Sequence, residues 1–344
     1  MTESRTELNQ LGEFGLIERI RAKNKTRRAE TLKSIGDDAA VLHPQGREVV
    51  TSTDMLVEGI HFDLSYTPLQ HLGYKAVAVN VSDIAAMNAF PVQITVSIAV
   101  SNRFSLEAID MLYDGIYAAC EAYNIDLVGG DTTASNSGLI ISVTVIGLTE
   151  KDKISFRSGA KPGDAICVTG DLGAAFLGLQ VLLREKVTYK ANPDHQPDLT
   201  EYEYLIEKQL KPEGRTDFIH ELAEFGVVPS AMIDISDGLA SELLHICKES
   251  GVGAAIYEKQ IPIHDTTMLV SEEFNISATT CALNGGEDYE LLFTLPVEEF
   301  EKIKHLPHIT PIGIIREKSE GVVMVTSTNE AITLRAQGWN HFNG

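Results

Sequence analysis

Seven aspartates fall in five short turns rich in glycine, serine or threonine. Asp37 and Asp38 lie in Gly36-Asp37-Asp38-Ala39-Ala40, Asp54 in Ser52-Thr53-Asp54, and Asp83 in Asn80-Val81-Ser82-Asp83. Asp131 follows in Gly129-Gly130-Asp131-Thr132-Thr133, and Asp234 and Asp237 in Asp234-Ile235-Ser236-Asp237-Gly238. Apolar runs precede three of these turns: Val49-Val50, Ile125 to Val128, and Met232-Ile233. That predicts carboxylates at the ends of buried elements, where loops converge on a site. Like charges gathered there repel unless a cation neutralises them. Hard oxygen donors without a thiolate or imidazole cluster suit Mg²⁺. The chemistry implied is magnesium-assisted handling of phosphate.

The composition agrees. A chain of 344 residues with 44% hydrophobic and 22% charged residues predicts two globular domains, each with its own core. A net charge of −21 argues against nucleic-acid and anionic membrane partners. It also means that anionic phosphates would meet this protein through divalent cations. Read as generic solubility charge, the same excess implies nothing further. The polar start, Met1 to Glu7, predicts no signal peptide, and no apolar run reaches the ~18 residues of a membrane span. Cys120, Cys167, Cys247 and Cys281 are widely spaced in mostly apolar contexts, which predicts buried free thiols and a reducing cytoplasm.

The elements that must position the aspartates follow from periodicity. Residues 49–53 predict a short strand delivering Ser52, Thr53 and Asp54 to its end. Thr67-Pro68-Leu69-Gln70 predicts a capped helix start, with the helix running to about Met87. Leu72, Ala76, Val79 and Asp83 recur at three- and four-residue spacing, so Asp83 extends the packed face, one turn beyond Asn80. Val92 to Val100 predicts a strand. Ser105 caps a helix with Leu106, Ile109, Leu112, Ile116, Ala119 and Tyr123 on one face. Ile125 to Val128 predicts a strand ending at Gly129-Gly130, and Leu139 to Gly147 another. Strands alternating with long helices predict an α/β class. The stretch from Glu150 through Asp164 reads as an interdomain connection, giving domains at 1–149 and 150–344.

The second half restarts with a strand at Ala165 to Thr169 and a helix from Ala174. Residues 184–216 read as a polar surface excursion, with a helix near Tyr202 to Leu210. A strand at Ala231 to Ile235, a helix from Gly238 to Glu249, and a Gly285-Gly286-Glu287-Asp288 turn before a strand from Tyr289 complete the pattern.

Common phosphate-handling motifs are missing. There is no Gly-Lys dipeptide for a P-loop, no His-Arg-Asp kinase loop, no Gly-x-Gly-x-x-Gly fingerprint and no Gly-x-Ser-x-Gly elbow. Phosphate binding must then use backbone N–H groups in glycine turns together with metal ions. Gly129-Gly130-Asp131 offers both.

Taken together these motifs resemble one family. Ile35-Gly36-Asp37-Asp38-Ala39-Ala40, Ser52-Thr53-Asp54 through Gly59-Ile60-His61-Phe62, and Tyr74-Lys75 through Ser82-Asp83 carry the resemblance, with Arg157-Ser158-Gly159-Ala160-Lys161-Pro162-Gly163-Asp164 and Gly285-Gly286-Glu287-Asp288-Tyr289-Glu290-Leu291. The match runs from Gly12-Glu13-Phe14 to Gly338-Trp339-Asn340-His341-Phe342. The chain resembles the thiamine-monophosphate kinases, of the ATP-binding superfamily that includes aminoimidazole ribonucleotide synthetase and selenophosphate synthetase.

The resemblance implies ATP- and Mg²⁺-dependent phosphorylation of thiamine monophosphate to thiamine diphosphate, by in-line transfer without a phosphoenzyme. It implies a two-domain aminoimidazole ribonucleotide synthetase-like fold, α/β with mixed (α+β) sheets, whose N-terminal sheets pair across a homodimer with ATP near that interface. Matched motif by motif, Asp38, Ser52, Thr53, Asp54, Asp83, Asp131, Asp234 and Asp237 would hold several Mg²⁺ ions. Tyr113, Gly130, Asp131, Arg157 and Ser236 would contact ATP, and His61, Glu287 and Trp339 the thiamine substrate. Asp54, Asp131 and Arg157 would act most directly on the transfer. One segment departs from the family: Lys211-Pro212-Glu213-Gly214-Arg215 stands where an Arg-Pro-x-Pro-Arg-type run is common.

Other readings coexist. The aspartates could cap turns, His61 taken alone is a packing histidine, Trp339 could anchor the tail, and Tyr113 fits a helix core or interface as well as a nucleotide. A cyclo-ligase or selenophosphate synthetase would keep the aspartates; the latter needs an N-terminal reactive Cys, whereas the first here is Cys120. A catalytically dead ATP- or thiamine-phosphate-binding regulator is the remaining alternative, which a turnover assay separates.

Overall fold

The computed structural model describes residues 8–35, 39–194 and 196–337. They cluster into two compact units, residues 1–84 with 89–152, and 85–88 with 153–344.

The first unit opens with α1 (Leu8–Lys23), the short pair β1 (Thr31–Lys33) and β2 (Val41–Leu42), and the long strand β3 (Glu48–Val57). Then come α2 (Leu69–Ala86), β4 (Phe90–Val100), α3 (Leu106–Ala122), β5 (Asp126–Ala134) and β6 (Leu139–Thr149). Four strands form a mixed sheet in the order β3-β6-β4-β5. β3 and β4 flank β6 antiparallel, while β4 and β5 are parallel, joined by the α3 crossover. Burial alternates along β6, so only one face of the sheet is covered. Leu56, Val96, Ile98, Ile141 and Val143 line that face. The other face carries Val49, Thr51, Thr53 and Met55 of β3, all exposed.

The α3 helix is capped as its sequence predicts: the Ser105 side chain accepts a hydrogen bond from the Ala108 N–H. Its buried face includes Ile109, Leu112, Ile116 and Ala119. It meets α2 almost backbone to backbone. A Cβ on Gly73 would lie 2.0 Å from the Leu112 carbonyl oxygen, and one on Gly115 1.9 Å from that of Gln70. Only glycine permits this crossing, and the crossing fixes where α2 holds Asn80 and Asp83.

The second unit contains β7 (Ala165–Thr169), α4 (Ala174–Ala191), α5 (Glu203–Leu210), α6 (Thr216–Phe225) and β8 (Ala231–Asp234). It continues with α7 (Leu239–Ser250), β9 (Gly253–Tyr257), α8 (Asp265–Glu273), α9 (Ala278–Asn284) and β10 (Leu291–Leu295). The last elements are α10 (Val297–Ile303), β11 (Ile309–Arg316), β12 (Val322–Val325) and β13 (Ala331–Thr333). The seven strands order as β13-β12-β9-β11-β7-β10-β8, antiparallel except for β9 with β12. Ile166, Val168, Ile233, Leu243, Ile256 and Leu292 centre one core. A second apolar cluster joins α4, α5, α8 and α9 through Leu177, Val181, Leu205, Val270 and Cys281.

Three expectations need correction. β3 does not end at Asp54 but runs on to Val57, because Asp54 still pairs with Val143. β5 likewise passes through Gly129 and Gly130 to Ala134, so this segment is strand rather than turn. The stretch 184–216 is a surface excursion only in part: residues 187–194 and 196–201 are mostly exposed, but the α4 helix persists to Ala191, and α5, at the place the sequence marks, packs through the fully buried Leu205. All four cysteines are free and buried. Among the described residues no helix is long and apolar enough to cross a membrane.

A Gly115→Ala variant forces a methyl group into the Gln70 carbonyl. Overpacking of this kind costs about 1–3 kcal/mol. A thermal melt is expected to shift down by several degrees, at about 2–4 °C per kcal/mol for units of this size. An unchanged Tm would show that the two helices separate at no cost.

Candidate active site

In the first unit the aspartates gather as a pair. Ser52 and Asp54 alternate onto the covered face of β3, the face that meets α2. The Ser52 hydroxyl donates to Asp83 Oδ2 at 2.5 Å, and the Asp54 N–H donates to Asn80 Oδ1 at 3.0 Å. The Asn80 amide is itself fixed, donating to the Ala76 carbonyl at 3.0 Å. Asp54 thus lies beside the half-buried Asp83 and is itself exposed. Burial of its carboxyl, and next the Asp83 charge, push its pKa up to about 6. The fold places two carboxylates and a hydroxyl where a divalent cation would relieve the repulsion, and the donors are all hard oxygens. The residues fit Mg²⁺.

The rest of the first-unit set is more dispersed than the sequence predicts. Thr53 faces the other side of the sheet, where its hydroxyl donates to the Val143 carbonyl at 3.1 Å and meets that of Thr144 at 2.9 Å. Asp131 pairs with Ser97, whose row continues through Ser142 to Met55. It therefore stands on the uncovered face, on the edge strand opposite β3. Three interstrand steps of about 4.8 Å put it roughly 14 Å from the Asp54 row. Its Oδ1 accepts the Thr132 N–H at 2.9 Å. Among the described residues no three His, Cys, Asp or Glu side chains are gathered closely enough to hold a metal ion. Within the first unit, strand alternation sends Asp54 and Asp131 to opposite faces of the sheet.

Gly130 has a structural reason of its own: a Cβ there would lie 1.9 Å from the Val96 carbonyl oxygen. Tyr113 is buried in α3 with its ring 5.9 Å from that of Tyr117. Burial raises its pKa. Packing in α3 accounts for it. His61 follows β3, and its Nδ1 accepts the Val57 N–H at 3.1 Å. Asp38 and Trp339 lie outside the described residues.

The second unit carries another acidic station. Asp234 is buried at the end of β8, and Asp237 is exposed just before α7. Between them, Ser236 accepts the Glu287 N–H on its carbonyl at 2.7 Å. Sequence reading missed Glu242, one turn into α7. It is buried, and its Oε1 accepts the Asp237 N–H at 3.0 Å. Burial first, then Asp234 and Asp237, push its pKa up to about 8, against the pull of that N–H and of Arg157. Its spacing five residues beyond Asp237 was the available signal, because the first turn of a helix favours an acceptor facing the preceding loop. Arg157 is exposed, and its carbonyl accepts the Ser250 hydroxyl at 3.4 Å.

The Gly285-Gly286-Glu287-Asp288-Tyr289-Glu290 segment sorts its acids by direction. Glu287 is half-buried and accepts the Gln209 amide at 2.7 Å. Asp288 is buried and accepts the Gly173 N–H on both oxygens at 3.0 Å. Burial holds its pKa well above the carboxylate range despite that bond. Glu290 accepts the Thr169 hydroxyl and the Arg215 guanidinium, each at 2.6 Å, and Lys208 at 3.3 Å. Burial alone would lower the Lys208 pKa, but Glu290 and Asp171 outweigh it and hold it above the ordinary value. A cleft of about 340 Å³ opens beside this network, lined by Tyr204, Lys208, Lys211, Arg215 and Glu290 among others.

Comparison with known proteins assigns this arrangement to a class. Residues 36–149 match the family described as AIR synthase related protein, N-terminal domain, and residues 161–336 its C-terminal domain. The thiamine-monophosphate kinase of Bacillus subtilis (strain 168) is 38% identical, over 96% of this chain and 100% of its own. The solved structure of AaThiL complexed with AMPPCP and TMP is 32% identical with a TM-score of 0.76, covering 99% of this chain and 100% of that one. The thiamine-monophosphate kinase from Stenotrophomonas maltophilia K279a is 34% identical at a TM-score of 0.79, over 94% and 98%. The chain belongs to the thiamine-monophosphate kinase family.

The raised pKa values fix the sign of a pH dependence in metal-free protein. A carboxyl that holds its proton more tightly when folded contributes stability that is complete below about pH 4 and lost as pH rises through its folded value. For Asp54 that loss runs through about 6, and for Glu242 through about 8. Relative to the parent chain, Asp54→Asn is expected to gain melting temperature between pH 4 and 7, and Glu242→Gln up to pH 9. Added Mg²⁺ should erase the Asp54→Asn advantage. Parallel pH profiles for parent and variants would contradict the assignment of these two groups.

Proposed function

We infer that this chain transfers the γ-phosphoryl group of ATP to thiamine monophosphate, releasing thiamine diphosphate and ADP. The observation that carries this reading is likeness over the whole chain to thiamine-monophosphate kinases, one of them solved with AMPPCP, an ATP analogue, and TMP. The carboxylate pair Asp54–Asp83 supplies the physical support.

The acceptor is a phosphate monoester whose second pKa is about 6, so its oxygen is largely ionised at neutral pH. No residue has to remove a proton. An oxygen of that phosphate attacks the γ-phosphorus in line, and the bond to the bridging oxygen breaks with its electron pair leaving on ADP. The obstacle is repulsion between two polyanions. Several Mg²⁺ ions held by Asp38, Ser52, Thr53, Asp54, Asp83, Asp131, Asp234 and Asp237 would supply the neutralising charge. Asn80 and Ser52 orient the Asp54–Asp83 pair for that purpose. Gly130 brings its backbone within reach of phosphate, and Arg157 adds a permanent cation. Ser236 contributes from the loop that also braces Glu287. His61, Glu287 and Trp339 contact the thiamine substrate, Glu287 offering its negative charge to the cationic thiazolium. Of the residues assigned to nucleotide, Tyr113 fits least well, being buried in α3.

A homodimer through the first unit belongs to the same reading. The uncovered sheet face, with Val49 and Met55 each more than half exposed, supports burial against a second copy. Four free cysteines, all buried, favour a reducing compartment, the cytoplasm.

ATP, thiamine monophosphate and Mg²⁺ should yield thiamine diphosphate and ADP in equal amounts. Asp54→Asn is expected to lower kcat by at least about 100-fold, the scale of losing one charge-stabilising group. Near-normal turnover of that variant at saturating Mg²⁺ would remove Asp54 from the metal set. Absence of any product from the parent chain would overturn the reaction itself. Met55→Asp places a charge on the uncovered face and is expected to convert dimer to monomer in sedimentation at micromolar concentration. A parent chain sedimenting only as monomer would refute the dimer.

A further inference from the structure

The backbone between the two acids of Asp234-Ile235-Ser236-Asp237 is tied to the turn at 287–290. The Ile235 N–H donates to the Glu290 carbonyl at 2.8 Å. The Ile235 and Ser236 carbonyls accept the Tyr289 and Glu287 N–H groups at 2.9 and 2.7 Å. These ties stop at Ser236. Two residues on, Gly238 opens α7 with a φ of 110°, backbone that glycine adopts freely, and it has no side chain to cap the helix. Asp237 thus stands between a fixed loop and a permissive pivot.

Glu242 spans that pivot. Its backbone N–H donates to the Gly238 carbonyl at 3.3 Å, while its Oε1 accepts the Asp237 N–H at 3.0 Å. One residue in the first turn of α7 therefore holds the chain on both sides of the glycine. Glu242 is 3% exposed, on the buried side of α7 with Leu239, Leu243 and Ile246. Packing fixes its rotamer, as it would not for a solvated cap. Asp237 itself is exposed, so the direction of its carboxylate follows from the backbone that Glu242 holds. We propose that Glu242 is a positioning residue for the acidic station of the second unit, acting through the Asp237 peptide to aim that carboxylate for Mg²⁺. This rests on the reading above that Asp237 holds Mg²⁺. Asp234, the Ser236 hydroxyl and Asp237 offer the hard oxygens that this cation takes, and groups that orient such donors set metal affinity. The role asks for an oxygen acceptor at this position and not for a charge, which separates it from that of a direct ligand.

The test compares Glu242→Met, Glu242→Gln, Asp237→Asn and the double variant Glu242→Met/Asp237→Asn. Mg²⁺ is titrated twice for each, once against the rise in Tm that it causes and once against turnover. KM for thiamine monophosphate and Tm without Mg²⁺ are measured alongside. Glu242→Met keeps the length of the side chain without the acceptor. It is expected to raise both Mg²⁺ midpoints about tenfold, with KM for thiamine monophosphate within about twofold. Glu242→Gln keeps an oxygen for the Asp237 N–H and should hold both midpoints within about threefold of the parent. In the Asp237→Asn background, Glu242→Met should add less than about twofold, because both changes act on one interaction. If Asp237→Asn raises the midpoints and Glu242→Met does not, positioning is overturned while the reading of Asp237 stands. If Asp237→Asn is silent, both are overturned. If Glu242→Gln shifts the midpoints about tenfold, the charge matters rather than the acceptor and the proposal fails, a test that stands even where Glu242→Met does not fold. It fails equally if Glu242→Met lowers only Tm, or raises KM for thiamine monophosphate as much as the midpoints.

Discussion

Asp54 and Asp83 are held side by side on two different elements, a strand and a helix, and the Ser52 hydroxyl bridges toward Asp83. Two adjacent carboxylates that are both partly withdrawn from water cannot both ionise freely, and the raised pKa of Asp54 expresses that conflict. The nearest amide does not relieve the conflict at Asp54. Asn80 spends its donor on the Ala76 carbonyl and offers only an acceptor, which takes the Asp54 backbone N–H and not its carboxylate. The α2 helix is pinned by the glycine crossing with α3, so it cannot draw Asp83 away. A chain of net charge −21 has no general surplus of cations to lend such a pair. A divalent cation is the form of relief that these hard oxygen donors suit.

The second unit solves a related problem in two different ways within a few residues. Asp234, Asp237 and Glu242 form an acidic group in which Arg157 is the cation that lowers the Glu242 pKa, and burial with the neighbouring charges outweighs it. Glu290 sits between Lys208 and Arg215 and is neutralised where it stands. In the second the charge is cancelled in place, whereas in the first the Glu242 carboxyl keeps its proton up to about pH 8. That contrast separates acids that could serve chemistry from acids that hold the sheet to α5 and the Arg215 loop.

Much of this was legible in the sequence where a single element decided it. The α3 helix begins at its Ser105 cap and buries the face its spacing marks, and Asp83 lies on the inner side of α2 as the Leu72-Ala76-Val79 stripe requires. The strand β7 spans Ala165–Thr169 as read. What the sequence hid were features set by neighbours. A strand ends where its partner ends, and neither Asp54 nor Gly130 carries a local sign that β6 and β4 continue beside them. Register is equally silent: nothing in Gly129-Gly130-Asp131 says that Asp131 faces away from the covered side. The sequence marks α5 near Tyr202 to Leu210 but hides its packing, because its polar residues, Lys208 and Gln209, are satisfied by acids 78 and more residues away. Polarity read without partners mimics exposure.

The same limit explains why acid-rich turns are weak evidence singly and strong evidence in context. Asp126 opens β5 and is fully buried, more deeply than Asp234, Asp83 or Asp54. Its two oxygens accept the Arg27 and Arg28 backbone N–H groups at 2.5 and 3.0 Å and the Thr31 hydroxyl at 2.6 Å. Those dipoles satisfy the carboxylate and tie β1 and its approach to the sheet, so Asp126 has nothing left to offer a ligand. Asp54 is exposed as a residue, yet partial desolvation of its carboxyl and the Asp83 charge beside it raise its proton affinity. Burial by itself therefore does not mark the functional acid in this chain. The mark is a like charge set beside an accessible carboxylate, which is the condition under which a carboxylate gains most from binding a cation.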